Sequence, residues 1–266
     1  MKFTALAAAA AFSLTLVAHA QNQAPPAPPK TPPGTKPAAP AAPAVKLPPQ
    51  APDVAAPKMG NDGNPQTGFV SAHERFVAIA KEGKTDLVFL GDSITAGWGG
   101  QKAIWEKSFG AYRPANFGIG GDRTQHVFWR ITNGELDGIK PKAAVLMIGT
   151  NNSGSDSAEG IASGVTKIVE TIRAKLPDTK ILLLAVFPRG PKAEGNAQRE
   201  KLKQVNAIIA KLDDGKSVFY LDIGDKFLQP DGTLTKEIMP DFLHLSPKGY
   251  QIWADSIETK LAALMK

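Results

Sequence analysis

Five short apolar runs punctuate the chain, at about Leu87 to Leu90, Ala115 to Ile119, Ala143 to Ile148, Ile181 to Phe187 and Val218 to Leu221. Each is long enough for a strand and too short for a helix, which predicts five buried strands. Between the third and fourth, Ile161, Val165, Ile168, Val169 and Ile172 repeat at helical spacing and stop at Leu176-Pro177; between the fourth and fifth, Leu202, Val205, Ile208, Ile209 and Leu212 do the same before Gly215. Helices that link buried strands imply right-handed crossovers and a parallel sheet, hence an α/β domain. Ser71-Ala-His-Glu74 has the spacing of a capping box and predicts a first helix from Ser71 to near Gly83. Ser246-Pro247 caps a last helix that carries Ile252, Trp253, Ile257, Leu261 and Leu264.

The N-terminal part of the chain has a different character. Met1-Lys2, an apolar stretch from about Ala5 to Val17 and the small residues of Ala18-His19-Ala20 form the pattern of a signal peptide over residues 1–20. The apolar stretch is short for a bilayer span, so no transmembrane segment is expected in the mature chain, which should be exported to the periplasm or beyond. Residues 21–58 hold 13 of the 22 prolines, interleaved with alanine and four lysines, and predict an extended proline-rich linker. Its lysines could at most make weak contacts with anionic envelope polymers. Residues 59–266 remain as one catalytic domain, large enough for a core of its own.

Composition narrows the function further. The net charge is +6, but Lys2 contributes one of these and the linker three, since Lys30, Lys36, Lys46 and Lys58 stand against Asp53. The domain's modest remainder gives no reason to expect a nucleic-acid partner. There is no cysteine, so no disulfide supports the exported fold and no lipid-bearing cysteine follows the cleavage site. Only His19, His73, His126 and His244 are present, none paired at a metal-site spacing, and neither a metal nor another cofactor is expected.

Chemistry concentrates where the strands end, because sites in open parallel sheets form beyond the carboxyl ends of the strands. Gly91-Asp92-Ser93 follows the first run, Asn116-Phe-Gly-Ile-Gly-Gly121-Asp the second and Gly149-Thr-Asn151-Asn152 the third, while Asp241-Phe-Leu-His244 precedes the last helix. Serine needs a base to take its proton, and a histidine base needs a carboxylate to fix its tautomer; Ser93, His244 and Asp241 supply these in the order Ser, Asp, His. The N–H groups of Ser93 and Gly121 with the Asn151 amide could form an oxyanion hole. Gly-x-Ser-x-Gly, the nucleophile elbow of the α/β-hydrolases, is absent, since Thr95 stands at the second glycine.

These four blocks, centred on Ser93, Gly121, Asn151 and Asp241 with His244, resemble the SGNH hydrolases, also called the GDSL esterase/lipase family, over about Leu87 to Trp253. Asn116 to Asp122, Gly149 to Asn152 and Leu243-His-Leu-Ser246 look most like the platelet-activating-factor acetylhydrolase type. The first block reads Gly-Asp-Ser-Ile-Thr and lacks the leucine of the family name. The resemblance implies a flavodoxin-like three-layer α/β/α sandwich with a five-stranded parallel sheet, serine-ester chemistry and no metal.

What selects the substrate is an expectation about pocket walls. Ile94 and Leu243 flank the presumed nucleophile and base, and Trp98, Trp105 and Trp129 lie in adjoining segments, which suggests a tight pocket for short acyl groups. His126, on an expected helix from Thr124 to Arg130, is read as a residue beside the pocket or packed in the core; His73 is expected to be exposed. An exported esterase of this kind would meet small-molecule or carbohydrate esters. The alternatives are a longer-chain lipase or thioesterase of the same family, and a non-catalytic carbohydrate-binding module; the completeness of Ser93, Asp241, His244, Gly121 and Asn151 speaks for an enzyme.

Overall fold

The computed structural model describes residues 48–266. The expected signal peptide and the linker as far as residue 47 lie outside the described residues.

The five apolar runs are five parallel strands: β1 Leu87–Gly91, β2 Pro114–Gly118, β3 Ala143–Met147, β4 Lys180–Leu184 and β5 Val218–Leu221. Their order is β2-β1-β3-β4-β5, the doubly wound order of flavodoxin-like sheets. β1 and β3 are buried at every residue and read as continuous apolar runs. The edge strands differ for a physical reason: β2 alternates and begins with Pro114, and β5 is mostly half-buried, as strands with one unpaired side can be.

Among the described residues seven α-helices accompany the sheet: α1 Thr67–Lys81, α2 Ser93–Ala96, α3 Lys102–Phe109, α4 Thr124–Thr132, α5 Ala158–Lys175, α6 Ala197–Ile209 and α7 Pro247–Leu264. α4 packs on α5 and α5 on α6, while α3 packs on α7. Phe76 of α1 stacks on Phe117 of β2 with ring centroids 4.8 Å apart. Around Phe89 of β1, the rings of Trp98, Trp105, Phe109 and Trp253 form one aromatic cluster. Each large side chain buried there contributes about 1.5–3 kcal/mol or more, so this cluster fixes α3 and α7 to the sheet.

The cap expected for the last helix is present, and α5 carries one of the same kind. Ser157 accepts the Gly160 N–H at the start of α5, and Ser246 accepts that of Gly249 with Pro247 in the first turn of α7. α1 departs from expectation, because it starts at Thr67 and Ser71 lies inside it. Its buried face runs Phe69, Ala72, His73, Phe76 and Ala80, so the apolar stripe begins before the capping-box sequence and burying Phe69 extends the helix upstream.

The expected linker also ends earlier than residue 58. Thr124 donates to the Pro52 carbonyl at 2.7 Å, Ser163 to Asp53 at 2.9 Å, and Lys58 to the Gly120 carbonyl at 2.6 Å. Prolines and alanines satisfy few polar groups by themselves, but here the domain supplies the partners, and this stretch runs along α4 and α5.

Candidate active site

β1 delivers its chain end into a tight turn. A Cβ on Gly91 would lie 2.2 Å from Thr95 Oγ1 and 2.5 Å from the Met147 carbonyl, and one on Gly118 would lie 2.2 Å from the Ala96 nitrogen. Glycine at both places lets α2 sit directly on the ends of β1 and β2, with Ser93 at its first position. Asp92 caps this short helix by accepting the Ile94 N–H at 2.9 Å, and Tyr250 of α7 donates to the Ile94 carbonyl at 2.7 Å. Asp92 is fully buried and its Oδ2 has no partner. Burial pushes its carboxyl up to about 7, and the nearby Asp122 charge adds to the effect.

Ser93 Oγ lies 2.9 Å from His244 Nε2, and His244 Nδ1 lies 2.6 Å from Asp241 Oδ2. The other oxygen of Asp241 accepts the N–H groups of Leu243, at 3.1 Å, and of His244, at 2.7 Å. Burial pushes the Asp241 carboxyl up, but the His244 ring and these two N–H groups outweigh it and hold the group below its ordinary value. Phe242 takes φ +58° to close the turn, and its carbonyl accepts the Gly190 N–H at 2.8 Å. The His244 and Asp241 side chains remain 46 % and 55 % exposed, so the site is open to solvent.

Opposite lies the loop after β2. Gly121 holds φ +73°, and a Cβ on Gly120 would come within 3.9 Å of the Ser93 Cβ. Asn151 follows β3 and donates one amide N–H to the Asp122 carbonyl at 2.8 Å, which leaves the other free. The N–H groups of Ser93 and Gly121 donate to no acceptor among the described residues. The N–H groups of Ser93 and Gly121 and the second amide N–H of Asn151 are thus left without an acceptor at the carboxyl ends of β1, β2 and β3.

Several supporting residues escaped the reading of the sequence. Asn152 accepts the Thr124 N–H and donates to Gln125 and Asp156, tying the loops after β2 and β3 together. Arg189 donates to the Thr150 carbonyl at 3.0 Å from the loop after β4. Arg130, fully buried, bonds Asp122 at 2.9 Å, Glu135, and the carbonyls of Phe117 and Gly91 at the ends of β2 and β1. Lys58 pairs with Asp122 from the other side at 2.8 Å. Asn152 and Arg130 stood within motif segments and could have been singled out as polar residues inside apolar surroundings; Lys58 carried no signal beyond linker composition.

The proposed pocket walls fare differently. Ile94 and Trp98 are each 1 % exposed and belong to the core, so neither presents a side chain to the open site. α2 directs Ile94 inward while Ser93, on another face, points out, and Trp98, in the turn Gly97–Gly100 that follows, joins the aromatic cluster with Tyr250 and Trp253. Trp105 belongs to the same cluster, and Trp129 packs on Phe69 and His73. Leu243 is half-buried beside His244. His126 is 5 % exposed, accepts the Arg123 N–H through Nδ1 at 3.1 Å and meets Gln50 through Nε2 at 3.2 Å. Burial, then the charges of Lys58, Arg123 and Arg130, push it down to about 3, so it is a neutral residue beside the oxyanion loop. His73 is buried, against expectation, because it lies on the inner face of α1 and its Nε2 bonds the Asn133 carbonyl at 3.0 Å.

A doubly wound parallel sheet thus brings Ser93, His244 and Asp241 into one hydrogen-bonded line at its carboxyl end. Comparison with known proteins makes this specific. The GDSL-like Lipase/Acylhydrolase family model matches residues 89–252, and the chain belongs to that family. It is 39 % identical over 198 residues, 74 % of this chain and 84 % of the relative, to platelet-activating factor acetylhydrolase IB subunit alpha1 of Homo sapiens. Its fold matches a GDSL-like lipase of Bacteroides thetaiotaomicron, with TM-score 0.56, 20 % identity and coverage of 72 % and 97 % of the two chains. It also matches Est24, a carbohydrate acetylesterase of Sinorhizobium meliloti, with TM-score 0.54, 20 % identity and coverage of 68 % and 100 %. The protein is an ester-bond hydrolase.

Proposed function

We propose that the protein is an exported serine esterase that removes short acyl groups, acetyl above all, from small-molecule or carbohydrate esters. The observation that carries this reading is the line from Ser93 Oγ through His244 to Asp241, with spacings of 2.9 and 2.6 Å. In this reading Ser93 Oγ attacks the ester carbonyl while His244 Nε2 takes its proton. The carbonyl oxygen, now negative, is stabilised by the N–H groups of Ser93 and Gly121 and by the Asn151 amide. His244 then passes the proton to the leaving alcohol, and water, activated by the same imidazole, releases the acid from Ser93. Asp241 fixes the tautomer that leaves Nε2 free to accept and stabilises the imidazolium as it forms.

Preference for acetyl is supported by the relatives, which are described as an acetylhydrolase and a carbohydrate acetylesterase, and by Leu243 beside the base. Export is supported by the pattern of residues 1–20. Hydrolysis of aryl esters of increasing acyl length by the purified chain tests the activity: acetate should be cleaved faster than octanoate, and Ser93→Ala should abolish turnover while the protein remains folded. Near wild-type activity in Ser93→Ala would remove the nucleophile assignment, and preference for octanoate would turn the reading toward a lipase.

A further inference from the structure

A cleft of about 620 Å3 opens beside the oxyanion loop, lined by Gly121, Lys58, Arg123, His126, Gln50 and Met59 among others. Its charge is one-sided. Lys58 Nζ donates to the Gly120 carbonyl at 2.6 Å and pairs with Asp122 at 2.8 Å, but that carboxylate is shared with Arg130 at 2.9 Å, so one anion stands between two cations. The remaining acid of the group, Glu135, faces Arg130. Arg123 bonds Ser155 Oγ through one N–H at 3.2 Å. The arginine ion pairs among the described residues are those of Arg113, Arg130 and Arg173, so the Arg123 guanidinium has no acidic partner there. Beside the cleft, burial and then the charges of Lys58, Arg123 and Arg130 push the His126 imidazole down.

We propose that this cleft is a subsite for an anionic group on the alcohol portion of the ester, held by Arg123 with Lys58 behind it. The inference rests on the esterase reading above. With a short acyl group, most of the substrate is alcohol, and the cleft is the adjoining space large enough to take it. A guanidinium with free N–H groups at the mouth suits a planar carboxylate or a phosphate equally, since both offer two acceptor oxygens. The stretch before α1 thus supplies a wall, because Gln50, Lys58 and Met59 would be missing from a domain cut at its first helix.

Acetate esters that differ only in the charge of the alcohol test this: 4-acetoxybenzoate, 4-acetoxyphenyl phosphate and the neutral 4-acetoxybenzamide, with the full mature chain. Relative to the amide, the carboxylate and the phosphate should each show a KM lower by about tenfold at low salt, the worth of one charge-assisted hydrogen bond at a partly exposed site. Added salt should close the gap. Arg123→Gln should remove the advantage of the anions, measured as the ratio of kcat/KM values, and Arg123→Lys should restore part of it. The carboxylate and phosphate arms decide which anion fits better. Equal KM for all three esters, or an Arg123→Gln variant that keeps the wild-type ratio, would overturn the subsite alone. Failure to cleave any of them would overturn the esterase reading and the subsite with it.

Discussion

Replacing Arg130 by methionine tests how the loop after β2 is held. The guanidinium is fully buried between Asp122 and Glu135 and also holds the carbonyls of Gly91 and Phe117. Methionine fills much of the space but returns none of these bonds, so two buried carboxylates lose their shared cation. Asp122 keeps Lys58 at 2.8 Å, and Glu135 keeps only His73 at 3.5 Å. Breaking a buried pair by removing one partner costs about 3–5 kcal/mol, a large part of the roughly 5–15 kcal/mol that holds a typical domain together. For a domain of about 200 residues that is a fall in Tm of roughly 6–20 °C.

The pH dependence distinguishes lost electrostatics from lost packing. Burial already raises the Asp122 carboxyl against the pull of Arg130 and Lys58. Without Arg130 its folded pKa rises further above the unfolded value. For such a group the stabilising contribution is present below the unfolded pKa, about 3.9, and is lost as pH climbs through the folded one. The Tm gap between wild type and Arg130→Met should therefore be wider at pH 7 than at pH 5, as read by near-ultraviolet circular dichroism. Adding Asp122→Asn and Glu135→Gln, so that no acid is left without its cation, should recover most of the loss. A gap of under about 1 kcal/mol, or one equal at both pH values and untouched by the neutral pair, would refute the electrostatic account.

Three other outcomes follow from the same geometry. Asn151→Ala should lower kcat by about 10²- to 10³-fold on an aryl acetate with a smaller change in KM, because the free amide N–H acts on charge that develops only in the transition state; a pure KM effect would make it a substrate-binding residue instead. Asp92→Asn keeps an oxygen for the Ile94 N–H but removes a carboxyl whose burial lifts it to about 7. Since that group's contribution is lost as pH rises through about 7, the variant should gain in Tm relative to wild type between pH 5 and pH 8, and a constant difference would count against the raised value. Expression with residues 1–20 intact in a bacterial host should yield a periplasmic protein beginning at Gln21, and a cytoplasmic product retaining Met1 would remove the export reading.

The strands were legible because β1 and β3 are buried on both faces and leave uninterrupted apolar runs. Ser93, Asp241 and His244, which the structure joins in one hydrogen-bonded line, could be picked out because each stands in a short block of local spacing. Side-chain direction was not. Ile94 is next to Ser93 in sequence, but consecutive residues on a helix are turned by about 100°, so adjacency to a surface residue put it in the core. His73 failed for a related reason, since the capping-box spacing at Ser71 hid the apolar stripe that begins at Phe69 and places the ring inside. Lys58 could not be read at all: its bond to Gly120 spans 62 residues, and neither periodicity nor composition reports contacts of that range.

The openness of the site follows from how its base is held. A histidine and its carboxylate are often kept in register by burial, yet here both are about half exposed. Their geometry comes from a turn in which one oxygen of Asp241 takes two backbone N–H groups and the other takes the ring. Phe242, in the left-handed region, is secured through its carbonyl by Gly190. Backbone bonds of this kind survive contact with water better than a lone ion pair, whose worth at the surface is about 0–1 kcal/mol. In the proposed reaction the side from which the alcohol would leave can therefore stay uncovered without loss of alignment.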